Sequence, residues 1–394
     1  MASLTDLLHQ ALPQDAGRAA LAGRIWRPDA NGPSVVAIRD GWAIDITRTF
    51  ATMRDLCEAP DPAAALRAAE GKGIAPLFEL LDNTPPEKRD PTRPWLLAPI
   101  DLQAIKAAGV TFAISMLERV IEERARGDAS SAAAIRTEVT RLVGDDLGNL
   151  KPGSKEAMEL KQVLMRQGAW SQYLEVGIGP DAEIFTKAQP MAAVGTGMDG
   201  GIHPNSSWNN PEPEVVLAAA STGRIVAATL GNDINLRDVE GRSALLLGKA
   251  KDNNASCAIG PLLRFFDADF TLDDIRSTVV TLRVDGPDGF VLEGSSSIAK
   301  ISRDPADLIA QMVNPHHRYP DGAVLFLGTM FAPIQDRDTK GQGFTHKTGD
   351  VVSVAAPRLG TLVNRMQPTD RCEPWQFGVG ALMRNLAERG LLKS

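Results

Sequence analysis

The sequence predicts an α+β protein: a small N-terminal α/β domain over residues 1–94, joined to a larger strand-rich domain over 95–394. Three observations predict it. After residue 173, short β-branched runs (EVVLAAA, RIVAATLG, STVVTLRVDG, AVLFLGTMFA, DVVSVAA) follow one another, split by Gly, Pro, Asn and Asp. Strands at that spacing, with few helices between them, argue for a largely antiparallel sandwich, barrel or roll and against a doubly wound sheet. A proline-rich stretch at 83–94, NTPPEKRDPTRP, reads as a linker. A chain of 394 residues is also long enough for two domains.

Taken in order, residues 21–46 alternate apolar runs with turn residues and predict a small antiparallel sheet, with Asn31-Gly32 as a hairpin turn. Helical patterns follow at 49–57, 61–70 and 74–81, before the linker. Beyond it, helices are expected at 116–127 and 131–143, in a region rich in Glu, Arg and Ala. Their charges predict a solvated face with i,i+4 pairs, not a binding site. Another helix is expected at 154–166, then the run of strands, and a closing helix at 377–389. The sequence holds no internal repeat.

With 43% hydrophobic and 23% charged residues the chain can bury a sizeable core. A net charge of -7, mixed in sign along the chain, gives no basic footprint for nucleic acid. The three cysteines, Cys57, Cys257 and Cys372, form no CxxC pair. That argues against a disulfide framework or a zinc knuckle and for a reducing compartment. The start, MASLTDLLHQAL, lacks the features of a signal peptide, and no stretch approaches the roughly 20 apolar residues of a membrane helix. A soluble, cytoplasmic protein is the expectation.

The most informative segment is NNPEPEVVLAAASTGRIVAATLGNDINLRD, at 209–238. Glu212 and Glu214 stand two apart at the entrance to an apolar strand, so both point to one face with Cα atoms about 6–7 Å apart. Carboxylates that close repel unless they are protonated, solvated or joined by a cation. Asp233 follows the next strand and returns beside them if the two strands pair. Three oxygen ligands on strands suit Mg²⁺, Mn²⁺ or Ca²⁺ better than zinc. On its own, Glu-x-Glu is more often the polar face of a half-exposed strand.

The runs EPEVVL, GNDINLRD and KAKDNNASCAIGP, taken together, resemble the fumarylacetoacetate hydrolase superfamily. There a Glu-x-Glu pair and the aspartate of an N-D-x-S-x-R-D segment bind a divalent metal, and a lysine lines the site. Those positions fall on Glu212, Glu214, Asp233 and Lys251. The resemblance extends from about residue 101 through LRVDGPDGFVLEGSSS, VLFLGTMFAP and GDVVSVAAPRLGTLVN. It implies a mixed β-sandwich roll, Mg²⁺ with Mn²⁺ or Ca²⁺ as alternatives, a small 2-oxo acid substrate, and a homodimer or homotetramer.

Hydrolases of that family carry a histidine in a G-x-N-Y-x-x-H segment to activate water. Here the matching segment is GVTFAIS, with Thr111 and Phe112 at the Asn-Tyr positions and Ser115 at the histidine. Serine is no general base near neutral pH unless another base activates it. His203, His316, His317 and His346 are the candidate substitutes, each expected on the surface or in a loop. The whole pattern is most similar to 2-keto-3-deoxy-pentonate dehydratases, which implies dehydration of 2-keto-3-deoxy-D-xylonate to 2-oxoglutarate semialdehyde. Two acid–base groups would suffice, and Lys251 and Glu183 are the candidates. A cation beside Lys251 is expected to depress its pKa. Arg119 matches a group that could hold the substrate carboxylate. Phe112 and Ser115 would line the site, and Asn254 and Thr329 would bind hydroxyls. Arg237 and Asp238 are assigned to structure, as a buried ion pair or a capped turn. The glycine-rich VGTGMDGGIH reads as a loop near the site, since it does not open a βαβ unit. The alternatives are an acylpyruvate-type C–C hydrolase on the same metal site and an inactive binding module.

Overall fold

The computed structural model describes residues 4–143, 150–166, 170–329, 331, 333, 335–341 and 343–392. Its strands run, in chain order, β1 (Leu21–Arg27), β2 (Gly32–Arg39), β3 (Trp42–Asp45), β4 (Lys72–Pro76), β5 (Trp95–Leu97) and β6 (Ala104–Gly109). After a helical stretch come β7 (Glu183–Ala188), β8 (Asp199–Ile202), β9 (Asn209–Asn210), β10 (Pro213–Ala219), β11 (Ile225–Asp233), β12 (Asn235–Leu236) and β13 (Cys257–Phe265). The last are β14 (Val279–Asp285), β15 (Val291–Ser297), β16 (Ala323–Phe326), β17 (Val351–Ala356) and β18 (Gly360–Pro368).

The architecture is α+β. An eleven-stranded sheet runs in the order β4-β3-β2-β1-β13-β11-β10-β16-β6-β7, with β5 added to β1. A five-stranded sheet has the order β15-β14-β17-β18-β8, and β9 pairs with β12 in a two-stranded ladder. Most pairs are antiparallel, as the short turns between strands require, and β16–β6 and β18–β8 are parallel. Strand alternation explains the layering. Val215, Leu217 and Ala219 enter a core cluster with Val280, Leu282, Val352 and Val354 of the smaller sheet. Their neighbours Val216, Ala218 and Ala220 face the opposite way, against Met53, Leu56 and Leu66. A strand buried on both faces reads as the near-continuous apolar run seen in EVVLAAA.

The N-terminal segment differs from expectation. Residues 21–46 do form antiparallel strands, and Asn31 takes the left-handed conformation (φ 44°) that lets Arg27 pair with Gly32. However, β1 also pairs with β13 through Leu21↔Arg264 and Ala22↔Leu263, and β5 pairs back onto β1. The sheet therefore continues across residue 94, where a boundary was expected. The helix expected at 74–81 is half strand: β4 pairs with β3, and a helix begins only at Leu77. Pro76 precedes that helix, and its missing N–H costs nothing there. The other expected helices form with shifted ends, as Met53–Glu58, Pro62–Ala68, Ala113–Ala125, Ala129–Val143, Lys155–Arg166 and Val379–Glu388. Among the described residues no helix is long and apolar enough to cross a membrane.

Candidate metal centre

The pairing of β10 with β11 assembles the three acidic residues. Pro213 faces Asn232 and Glu214 faces Gly231, and the Asp233 N–H donates to the Glu212 carbonyl at 3.0 Å. One carboxylate oxygen from each of Glu212, Glu214 and Asp233 lies within 4.8 Å of the others, and all three are at most 2% exposed. Gly231 is required opposite Glu214: a Cβ there would stand 2.2 Å from Phe326 Cε1 and 2.6 Å from Val216 Cγ2.

Cations surround the cluster unevenly. Lys251, ending the helix Leu247–Lys251, donates from Nζ to Glu212 Oε2 and, at 2.9 Å, to Asp233 Oδ2. Lys187 of β7 donates to the carbonyls of Ile234 and Lys251 and brings Nζ to 2.9 Å from Asp233 Oδ1. That oxygen has no hydrogen-bonding geometry to any partner among the described residues. Arg119, on the helix Ala113–Ala125, donates to Glu212 Oε1 and to Glu122 Oε2 (2.6 Å) and lies 3.2 Å from Glu240 Oε2. Glu214 accepts the Gly328 N–H at 2.7 Å, and among the described residues no cation contacts it.

The charges follow from these contacts. Burial, and then Asp233 and Glu212, push the Glu214 carboxyl well above its ordinary range. Asp233 is held low: burial opposes its charge, but Lys187 and Lys251 outweigh it. Burial also disfavours the Lys251 ammonium, yet Asp233, Glu212 and Glu240 hold its pKa above normal. The raised Lys251 pKa is the work of the protein's own carboxylates; the depression expected of a neighbouring cation is a separate effect, set by an ion held at the same carboxylates. Glu183 opens β7 opposite Gly109, where a side chain on residue 109 would run into its carboxylate. Burial and Glu240 push Glu183 up to about 7, against the pull of Arg119 and Lys251.

These residues fit a divalent cation. The donors are three convergent hard oxygens; among the described residues one of the carboxylates, Glu214, has no cation in contact and another, Asp233, carries an oxygen with no hydrogen bond, and such a set suits an ion of the magnesium type.

Residues 214–367, from the second glutamate of the cluster to the end of β18, match the family model described as Fumarylacetoacetate (FAA) hydrolase C-terminal. That stretch of the chain is similar to the fumarylacetoacetate hydrolase C-terminal domain. A Saccharolobus solfataricus protein named 2-dehydro-3-deoxy-D-arabinonate dehydratase is 30% identical over 184 residues, spanning 46% of this chain and 57% of that one. A Haloferax volcanii protein named probable 2-keto-3-deoxyxylonate dehydratase is 25% identical over 330 residues, 84% of this chain and 94% of its own. Among solved structures, 2-keto-3-deoxy-D-arabinonate dehydratase complexed with magnesium and 2,5-dioxopentanoate aligns with a TM-score of 0.59 and 20% identity. The alignment covers 88% of this chain and 99% of that one, a likeness of fold.

The structure gathers Glu214, Asp233 and Lys251 of the matched stretch with Glu212 and Arg119 from before it, and Glu183 in electrostatic reach. Thr329 adjoins Gly328, but its hydroxyl donates to the Phe331 carbonyl at 3.0 Å. Phe112 is buried in the main apolar core, and the Ser115 hydroxyl donates back to the Phe112 carbonyl at 2.9 Å. Asn254 is a correction. Its amide donates to the carbonyls of Thr369 and Glu373 and its oxygen accepts from the Trp375 N–H, so the side chain is spent on a chain crossing and not on hydroxyls. His316 and His317 are exposed, and His203 sits in a loop. His346 also lies in a loop, before β17, but is buried there beside Asp350 and Arg337.

Sequence reasoning missed Lys187, Glu240 and the acidic face of the helix Ala113–Ala125. Glu118 and Glu122 were expected on a solvated face, yet both are buried. Glu122 Oε1 accepts from Arg237 Nε at 2.6 Å and Glu118 Oε2 from Arg237 Nη2 at 3.1 Å, while Arg237 stacks on Trp208. Arg237 is therefore in a buried ion pair, but with this helix; Asp238 instead accepts from Ser206 and Ser207. For Lys187 a signal existed: a lysine four residues after Glu183 on an apolar strand shares its face.

Proposed function

We propose that this chain is a magnesium-dependent hydro-lyase. It removes water from 2-keto-3-deoxy-D-xylonate, identical to 2-keto-3-deoxy-D-arabinonate, and yields 2-oxoglutarate semialdehyde. The observation that carries the reading is a near-neutral carboxyl, Glu183, within electrostatic reach of a buried three-carboxylate cluster and the Lys251 ammonium. The names of the two curated relatives support it, as does the magnesium and 2,5-dioxopentanoate named for the solved neighbour.

Magnesium held by Glu212, Glu214 and Asp233 would supply Lewis acidity toward the carboxylate and 2-oxo oxygens of the substrate. The protein's own groups supply the proton traffic. One proton leaves C3, and the C4 hydroxyl departs as water with another. Loss of one C5 proton and of the C5 hydroxyl proton, balanced by return of one proton each to C3 and C4, then leaves the aldehyde, with no redox partner. A carboxyl titrating near 7 can give and take a proton at working pH, which suits Glu183 to this traffic. Lys251 places a charged donor between Glu212 and Asp233. Arg119 offers a planar fork to the substrate carboxylate in exchange for Glu212.

The test is incubation with 2-keto-3-deoxy-D-xylonate and Mg²⁺, with an EDTA control, following the semialdehyde through a coupled aldehyde dehydrogenase. Metal-dependent semialdehyde, lost in Glu214→Gln, supports the reading. Two carbon fragments from an acylpyruvate, with no semialdehyde, would replace it with C–C hydrolysis.

A further inference from the structure

Below the carboxylates lies a second rung of polar side chains that the proposed chemistry does not use. In the β9–β12 ladder Asn235 stands directly opposite Asn210. Asn210 precedes Glu212 by two residues and Asn235 follows Asp233 by two. The β9–β12 ladder is separate from the β10–β11 pair, with residues 211–212 and 234 between them; the two-residue spacing puts the carboxamides about 6–7 Å beyond the carboxylates, on the side of the chain opposite Ile234. The flanking residues agree. Arg237, two beyond Asn235, reaches Glu122, which also holds Arg119. On the other face Ile234 lies in the apolar core, and Asn209 accepts the His346 N–H.

The pair is also unsatisfied. Asn235 is 0% exposed, and neither its Nδ2 nor its Oδ1 has a hydrogen-bond partner among the described residues. Asn210 is 3% exposed. Its Nδ2 donates to the Pro211 carbonyl at 2.9 Å, while its Oδ1 is unpartnered among the same residues. Buried amides are almost always paired, so two orphaned acceptors and an orphaned donor on one rung call for a partner that both donates and accepts. A hydroxyl does both. On a substrate whose 2-oxo acid end lies at the carboxylates, the hydroxyl-bearing carbons C4 and C5 are two and three bonds further along.

We propose that Asn235 and Asn210 form a hydroxyl-recognising subsite that reads the polyol end of the 2-oxo acid, an inference that rests on the 2-oxo acid reading above.

Two probes separate the claims: 2-oxopentanoate, which has no hydroxyl, and 5-hydroxy-2-oxopentanoate, which has one but no C4 leaving group. Their affinities for the Mg²⁺-loaded protein are measured by calorimetry in wild type and Asn235→Ala. Ring closure of the hydroxy acid cancels between the two proteins. The expected result is a preference for the hydroxy acid in wild type that falls at least tenfold in Asn235→Ala. The affinities for 2-oxopentanoate and for Mn²⁺ should stay within twofold. An unchanged preference, or an equal weakening of both acids, overturns the inference and leaves the amides a structural role with internal water. If Asn235→Ala does not fold, Asn235→Ser and Asn210→Ala carry the same comparison. Failure of 2-oxopentanoate itself to bind wild type overturns the 2-oxo acid reading and this inference with it. Its binding without a hydroxyl preference overturns this inference alone.

Discussion

Glu214 is the residue at which charge and metal are most directly opposed. Its carboxylate is buried against Asp233 and Glu212 with a backbone N–H as its only contact among the described residues. Glu214→Gln removes an unfavourable charge, so the metal-free variant should melt no lower than the wild type. The stabilisation by Mg²⁺, about 2.7 kcal/mol at a hundredfold excess over Kd, should vanish, and the rise in Tm with it. Calorimetry with and without EDTA reads both. Glu183 makes a second prediction. Its carboxyl stands at about 7 through burial and Glu240. The kcat/KM profile should show a limb near that pH, and Glu183→Gln should lower activity roughly 10²–10⁴-fold. Glu240→Gln takes away a neighbouring negative charge, so the limb should move to lower pH. In stability the sign is that of a raised carboxyl. Glu183 contributes fully below its unfolded value near 4.5, and the contribution is lost as pH rises through about 7.

At the scale of elements, the helix Ala113–Ala125 is tied to the site by ions and not by apolar contact alone. Glu122 bridges Arg119 and Arg237, all three buried or nearly so. Glu122→Ala removes the carboxylate shared by two buried guanidiniums, leaving Arg119 to Glu212 and Glu240 and Arg237 to Glu118, and breaking a buried pair in this way costs up to about 3–5 kcal/mol. Denaturant unfolding should record a loss within that bound. The strand pair β10–β11 makes the complementary prediction. Gly231→Ala pushes a methyl into Phe326 and Val216, an overpacking that costs about 1–3 kcal/mol. Because Gly231 is the partner of Glu214, metal affinity should fall together with stability.

Across the whole molecule, the sheet passes through β1, β13, β11 and β10 without interruption, so the N-terminal strands and the metal-bearing strands share one ladder. The closing helix fastens the same region: the Asn385 amide donates to the carbonyls of Ala30 and Asn31. Removing residues 1–94 would strip β13 of its neighbour at Leu263 and Arg264. The truncated chain should therefore fail to give a cooperative thermal transition, while the full chain melts in one step by calorimetry and circular dichroism alike. Two separate transitions in the full chain would restore a division at 94.

What the sequence determined by itself is what local periodicity carries. Alternation placed Glu212 and Glu214 on one face, apolar runs marked β10, β11 and β13, and a change of texture after residue 173 marked the strand-rich half. Tertiary structure alone decided the rest, since the deciding partners are far apart in the chain. Arg119 meets Glu212 across 93 residues, Arg237 meets Glu122 across 115, and Lys187 meets the Lys251 carbonyl across 64. A charge on a helix reads as solvated until another element covers it. That is why Glu118 and Glu122 looked like surface and proved buried. The continuity of the sheet across residue 94 was hidden for a related reason: a proline-rich stretch signals a turn, but only strand pairing decides whether the sheet resumes beyond it. Asn235 belongs to both levels. Its place two residues after Asp233 is written in the sequence, while its want of a hydrogen-bond partner arises only when β12 is folded against β9.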